Sequence, residues 1–90
     1  MAQTFVYAIR NIDKNEVKIG YTIDPIKRLS QLQCATTDTL EILCTFSGGL
    51  TEESILHQKL DEYRITREWF RAEYFVLKTF LESVSISFAG

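Results

Sequence analysis

Val17-Lys18-Ile19-Gly20-Tyr21-Thr22-Ile23-Asp24-Pro25-Ile26-Lys27-Arg28 is the stretch on which the fold turns. It reads as an apolar strand over 17–21, a short turn, and a helix over 25–33 opened by Asp24 and Pro25. Asp is a favoured helix N-cap, and Pro suits the first helical position because the N–H it lacks would have no intrahelical partner. Arg28 then falls about one turn into the helix. Lys18, Tyr21 and Arg28 are thereby expected near one strand end. Gly20 either ends the strand or gives a ligand close access to the backbone.

Working outward, Thr4-Phe5-Val6-Tyr7-Ala8-Ile9-Arg10 reads as a strand over 4–10 that pairs with the first. Phe5, Tyr7 and Ile9 share one face and Val6 and Ala8 the other, a pattern suited to a strand covered on both sides. That pairing brings Tyr7 into the same neighbourhood. The polar run 11–16 between them is a hairpin connection. Residues 34–39 are a threonine-rich loop. A third strand spans 40–46, with Ile42, Cys44 and Phe46 alternating with Glu41, Leu43 and Thr45. After the Ser47-Gly48-Gly49 break, Thr51 is placed as the cap of a helix over 52–60. Its buried stripe is Ile55, Leu56, Lys59 and Leu60, and Glu52 and Glu53 stand in its first turn, where negative charge suits the helix dipole. Residues 61–67 read as a polar linker. Glu68-Trp69-Phe70 reads as a compact apolar anchor, and a third helix is placed over 72–82 with Phe75, Val76, Thr79 and Phe80 inward. The expected class is α+β: a three-stranded antiparallel sheet flanked by three helices, in the order β-β-α-β-α-α, in one domain spanning 1–90.

Composition excludes several classes. With 90 residues, 46% of them hydrophobic, and eleven aromatics, the chain can bury a core. No apolar run reaches the roughly 20 residues of a membrane span. The start, Met1-Ala2-Gln3-Thr4, lacks the features of a secretion signal, so a cytoplasmic location is expected. The tail 83–90 fits no targeting signal and reads as a frayed end or a short strand. Cys34 and Cys44 have no metal-binding spacing and are expected as buried free thiols. The net charge is −2. Residues 1–35 carry Arg10, Lys14, Lys18, Lys27 and Arg28 against Asp13, Glu16 and Asp24, whereas acidic side chains dominate residues 36–90. Nonspecific nucleic-acid binders are usually basic. Any nucleic-acid contact is therefore expected to be weak, local, or assisted by a metal or partner.

The residues resemble the GIY-YIG nuclease superfamily, whose signature pairs a Gly-Ile-Tyr triplet on one strand with a Tyr-Ile-Gly triplet on the next. Here the triplets read Phe5-Val6-Tyr7 and Lys18-Ile19-Gly20, with residues 8–17 between them. Arg28 matches the helix-one arginine and Glu53 the metal-binding glutamate of the second helix. The finer set is similar to a compact phage and microbial branch. It comprises Val17-Lys18-Ile19-Gly20-Tyr21-Thr22, Asp24-Pro25, Lys27-Arg28-Leu29, Leu32-Gln33, Glu53 with Leu56-His57, and Arg64 ahead of Glu68-Trp69-Phe70. The resemblance covers about residues 4–80. Two departures stand out: Lys18 occupies the place of the second signature tyrosine, and the asparagine that follows the glutamate in many members has no counterpart.

The resemblance implies a metal-dependent endonuclease acting on nucleic acid, DNA ahead of RNA, in a prokaryotic or phage-encoded protein. Glu53 would hold a divalent cation, Mg²⁺ first and Mn²⁺ second, since hard cations take oxygen ligands. Tyr7 would serve as general base. A phenol is a weak base near neutral pH unless cations stabilise the phenolate, which Lys18 and Arg28 would do while also holding the phosphate. Tyr21 would bind phosphate or replace the missing tyrosine. His57, one turn from Glu53, would orient the carboxylate, donate to a phosphate or assist the leaving group. Read without the family, each of these is ordinary: a solvated helix-start glutamate like Glu52, a packed sheet tyrosine, surface charges, a core-edge histidine. The other functional reading is an inactive module on the same fold that binds nucleic acid or a protein. No separate DNA-binding region is expected, so the domain would either cut with little sequence preference or dimerise or rely on a partner for targeting.

Overall fold

The register between the first two strands explains the architecture. The computed structural model describes residues 3–67 and 69–71. Strand β1 (Phe5–Asn11) pairs antiparallel with β2 (Glu16–Thr22), with Val6 opposite Tyr21, Tyr7 opposite Gly20, and Ala8 opposite Ile19. Side chains alternate across a sheet, so Val6, Ala8, Val17 and Ile19 face one way and Tyr7, Ile9, Lys18 and Gly20 the other. Both faces are buried, and each collects its own core. Val6, Ala8, Val17 and Ile19 join Phe46, Leu56, Leu60 and Phe70 on one side. Tyr7 and Ile9 join Leu40 on the other, with Leu29, Leu32, Ile42 and Trp69 packed against them.

Helix α1 (Pro25–Cys34) covers the Tyr7 face and α2 (Leu50–Lys59) the Val6 face. Asp24 caps α1 as expected: its Oδ1 accepts from the Lys27 N–H at 3.1 Å, with Pro25 in the first turn. Leu29 and Leu32 pack inward, but Ile26 is 70% exposed and does not extend that stripe. Strand β3 (Leu40–Ser47) pairs with β1. The expectation that Ile42, Cys44 and Phe46 share a face fails here. The register shifts between Ala8 and Ile9, whose partners are Cys44 and Ile42, so Leu43 is the extra residue of a bulge. That bulge sends Cys44 and Phe46 to the Val6 face and Ile42 to the Tyr7 face.

Among the described residues the sheet has five strands rather than three, in the order β3-β1-β2-β5-β4. After a 3₁₀ turn at Asp61–Tyr63, β4 (Arg64–Thr66) and β5 (Trp69–Arg71) form a short hairpin whose β5 pairs with β2. Arg64–Thr66 of the expected linker and Trp69 and Phe70 of the expected anchor are thus strand residues. Phe70 is fully buried with the Val6 core, while Trp69 packs on the Tyr7 side. The third helix expected over 72–82, the tail 83–90 and Glu68 of the expected anchor lie outside the described residues. Helix α2 also starts earlier than expected. Its N-cap is Gly49, not Thr51, and its buried residues are Glu53 and Leu56, with Leu60 following as its C-cap; Ile55 and Lys59 are exposed. Glu52 folds back so that Oε2 accepts from the Gly49 N–H at 2.8 Å. This is half of a capping box, since glycine has no side chain to supply the reciprocal bond. A Cβ at Gly48 would lie 2.9 Å from Glu52 Cγ, so that glycine makes room for the fold-back. Cys34 and Cys44 are free thiols, but Cys34 is exposed and Cys44 half-buried. Among the described residues, no helix is long and apolar enough to cross a membrane.

Candidate active site

The β5 strand is too short to cover β2. It pairs with Glu16, Val17 and Lys18 and no further. Beyond that point the edge of β2 is taken by α2: the Ile19 carbonyl accepts a hydrogen bond from His57 Nε2 at 2.9 Å. A carbonyl can only accept, so Nε2 carries the proton. The His57 ring also packs against Phe70, with centroids 5.3 Å apart. By crossing the edge of the sheet, α2 carries Glu53 from the Val6 face to where it can meet residues of the Tyr7 face.

The meeting place is an open groove of about 530 Å³. Its floor is Tyr7, Gly20, Tyr21 and Thr22; Arg28 and Gln31 of α1 form one wall, and Leu50 and Glu53 of α2 the other. Tyr7 is 2% exposed, and Gly20 is the reason its ring fits. A Cβ at residue 20 would lie 2.6 Å from Tyr7 Cζ. Gly20 thus does not end the strand; it sits inside β2, on the groove floor, and admits the phenol of the opposite strand. Arg28 Nε donates to Tyr7 Oη over 3.5 Å, and Arg28 Nη1 donates to Gln31 Oε1 over 3.4 Å. Both contacts are long, so the guanidinium is oriented without being tightly consumed.

Glu53 is 8% exposed, on a helix stripe whose two leucines, Leu56 and Leu60, belong to the core. Its Oε1 lies 3.7 Å from His57 Nε2, within ion-pair reach and beyond a hydrogen bond. The stripe Glu53, Leu56, His57, Leu60 has the i, i+3, i+4, i+7 spacing of a buried face. Glutamate and histidine at two of those four positions are the signal by which sequence alone could have placed both inside.

Of the six expected site residues, the groove gathers Tyr7, Tyr21, Arg28 and Glu53. Lys18 and His57 stand beside it. Lys18 is on the Tyr7 face but lies two residues down β2, with Nζ 5.6 Å from the centre of the Trp69 ring. His57 is committed to the Ile19 carbonyl behind Glu53, so it braces α2 rather than facing the groove. Among the described residues there is no group of three His, Cys, Asp or Glu side chains able to hold a metal ion, so a tetrahedral zinc cage is not built here. Glu53 offers one buried carboxylate at the groove wall, which fits a hard cation that keeps several waters and binds substrate phosphate.

A five-stranded antiparallel sheet with a helix on each face, and a polar groove where one helix crosses the sheet edge, places the molecule among small α+β domains with an edge-of-sheet site. The chain belongs to the T5orf172 domain family, whose model matches residues 4–85. No curated protein and no solved structure matches it significantly.

Proposed function

We propose that this chain is a metal-dependent endonuclease of the GIY-YIG type that hydrolyses phosphodiester bonds, in DNA ahead of RNA. The observation that carries the reading is the convergence of Tyr7 and Glu53, from opposite faces of the sheet, on one groove that also holds Arg28. The occurrence of T5orf172 domains in phage and bacterial nuclease-associated proteins supports the same class.

Hydrolysis requires an oxygen–phosphorus bond to form on one side of the phosphorus as the bond to the leaving sugar oxygen breaks on the other. Tyr7 Oη is the group placed to accept the attacking water's proton, held by the Arg28 Nε–H on one side. Arg28 is suited to grip a phosphate through its remaining donors, and Tyr21 adds a hydroxyl at the groove floor. Lys18 contributes positive charge from two residues down the same face. Glu53 would hold Mg²⁺, or Mn²⁺ in its place. Such an ion, when bound, supplies charge neutralisation at the phosphate and the leaving oxygen. His57 keeps Glu53 at the groove by fixing α2 to the β2 edge.

The test is nicking of supercoiled plasmid at low salt with Mg²⁺ or Mn²⁺, comparing the native chain with Glu53→Ala and Tyr7→Phe. Metal-dependent nicking lost in both variants supports the assignment. Nicking that persists equally in both refutes it. A folded chain that binds DNA without cutting under any condition favours the alternative reading, an inactive module on this fold.

A further inference from the structure

Arg28 brings positive charge to the lining of the groove, and among the described residues it makes no ion pair. Two neutral oxygens hold it instead. Its Nε–H donates to Tyr7 Oη, and one Nη1–H donates to Gln31 Oε1. A guanidinium has five N–H groups, so three remain, together with the whole of the charge. A carboxylate in place of either oxygen would grip the side chain more firmly and cancel the charge a phosphate needs.

Gln31 is the member of this arrangement to which no role has been given. It stands about one turn beyond Arg28 on α1, is exposed, and lines the groove on the same wall. Arg28 orients its amide. An arginine can only donate, so the amide oxygen faces it and the NH₂ lies on the other branch. Gln31 Nε2 makes no hydrogen bond among the described residues. Two further N–H donors therefore stand beside those of the guanidinium. Gln33, two residues on, shows the contrasting use of the same side chain. Both ends of its amide are closed on backbone, at the Asp38 carbonyl and the Leu40 N–H. Gln31 has one end closed and one open. An exposed i, i+3 pair adds little to helix stability, so the Arg28–Gln31 contact is not needed for folding.

We infer that Gln31 is a substrate-binding residue: its NH₂ donates to an oxygen of the DNA phosphodiester that Arg28 grips, while its carbonyl oxygen presents Arg28 without neutralising it. Phosphodiester oxygens accept hydrogen bonds, so a donor beside a cation matches them. The inference deepens the function proposed above and rests on its nucleic-acid half. In a chain of net charge −2, phosphate contacts have to be local, and an uncharged donor supplies one that salt screens little.

The experiment measures anisotropy of a fluorescein-labelled DNA duplex bound by the full chain carrying Glu53→Gln, across a salt series. Gln31→Met and Gln31→Glu are added singly, with Ser30→Ala, exposed on the same helix and outside the groove lining, as control. Methionine keeps the length and loses the amide. Affinity then falls ~3–10-fold at every salt concentration, while the slope of log K against log salt stays as in the parent, because no charge is lost. Glutamate keeps the shape, removes the donors and pairs with Arg28. Affinity falls further, by ~10-fold or more, and the slope flattens by about 1. Ser30→Ala changes neither quantity, and the urea midpoints of all variants match the parent. Gln31→Met binding as the parent does, Gln31→Glu binding no more weakly than Gln31→Met with the same slope, or a parent that binds no duplex, overturns the inference. Metal-dependent nicking by the native chain alongside Gln31-independent binding overturns it and leaves the nuclease reading intact. Gln31-dependent binding without nicking under any condition upholds it and removes the hydrolytic reading.

Discussion

The two ends of the sheet treat their polar groups in opposite ways. At the hairpin end, the amide side chains of Asn11 and Gln33 are closed on short hydrogen bonds. Asn11 Nδ2 donates to Asp38 Oδ2 at 2.9 Å, and Asn11 Oδ1 accepts from the Lys14 N–H at 3.0 Å. Gln33 bridges the loop from both sides, donating to the Asp38 carbonyl at 2.6 Å and accepting from the Leu40 N–H at 3.1 Å. At the groove end, the Arg28–Tyr7 contact is 3.5 Å and the Glu53–His57 contact 3.7 Å. A cavity of about 470 Å³ at the hairpin end is close in size to the groove, yet Asn11 and Asp38 in its lining are already hydrogen-bonded to each other. Cavity size therefore does not mark the site. What marks it is the convergence of Tyr7, Arg28 and Glu53 from the two faces of the sheet.

That contrast can be broken at four points. The largest effect is expected from Tyr7→Phe and Glu53→Gln, each lowering metal-dependent cleavage by ~10²–10⁴-fold while the urea midpoint barely moves. A large fall in stability instead would make the groove end as structural as the hairpin end. Next is Gly20→Ala. A mid-strand glycine usually gains from the change, but here the methyl meets the Tyr7 ring, so a loss of ~1–3 kcal/mol is expected, with cleavage impaired at the same time. Denaturant melts and nicking on the same preparation read both.

Asn11→Ala reverses the pattern. It strips a buried side chain from Asp38 and the Lys14 N–H and should cost ~1–3 kcal/mol, with nicking unaltered once the protein is folded. The smallest effect concerns Glu52. Its carboxyl is held below the ordinary value of 4.5, first by the Gly49 N–H and then by its own N–H, with partial burial opposing them. A depressed folded-state value means stability that is present above the unfolded value and lost as pH falls through the folded one. The difference in melting midpoint between the native chain and Glu52→Gln should therefore shrink on acidification below about pH 4.5. A difference that is flat with pH would remove the electrostatic part of the cap.

Much of this was legible without coordinates, because long elements carry their own periodicity. The first three strands, the Asp24 cap and the hairpin at 11–16 follow from alternation and capping chemistry. The class, α+β with an antiparallel sheet, follows from them. The bulge at Leu43 was not legible: one extra residue in β3 reverses the facing of Ile42 relative to Cys44, and nothing in the local sequence announces it. Strands β4 and β5 have three residues each, too few to show alternation, and became visible only through pairing with β2 and each other. The site divides in the same way. Tyr7, Arg28 and Glu53 could be named from the motif, but the service Gly20 gives to Tyr7 depends on knowing that the two are opposite each other. The commitment of His57 to the Ile19 carbonyl depends on β5 stopping short.

The short β5 has one more consequence, in optics. It places the only tryptophan of the chain, Trp69, half-buried on the Tyr7 face, with the Lys18 ammonium 5.6 Å from its ring centre. Indole emission responds to nearby charge and hydration, and this indole sits one strand across from the groove floor. A polyanion that draws Lys18 toward the groove shifts the charge beside the ring. The native chain thus carries an unlabelled fluorophore at the border of its own candidate site, free of competing tryptophan signal. Titration with a DNA duplex can be followed on the unmodified protein.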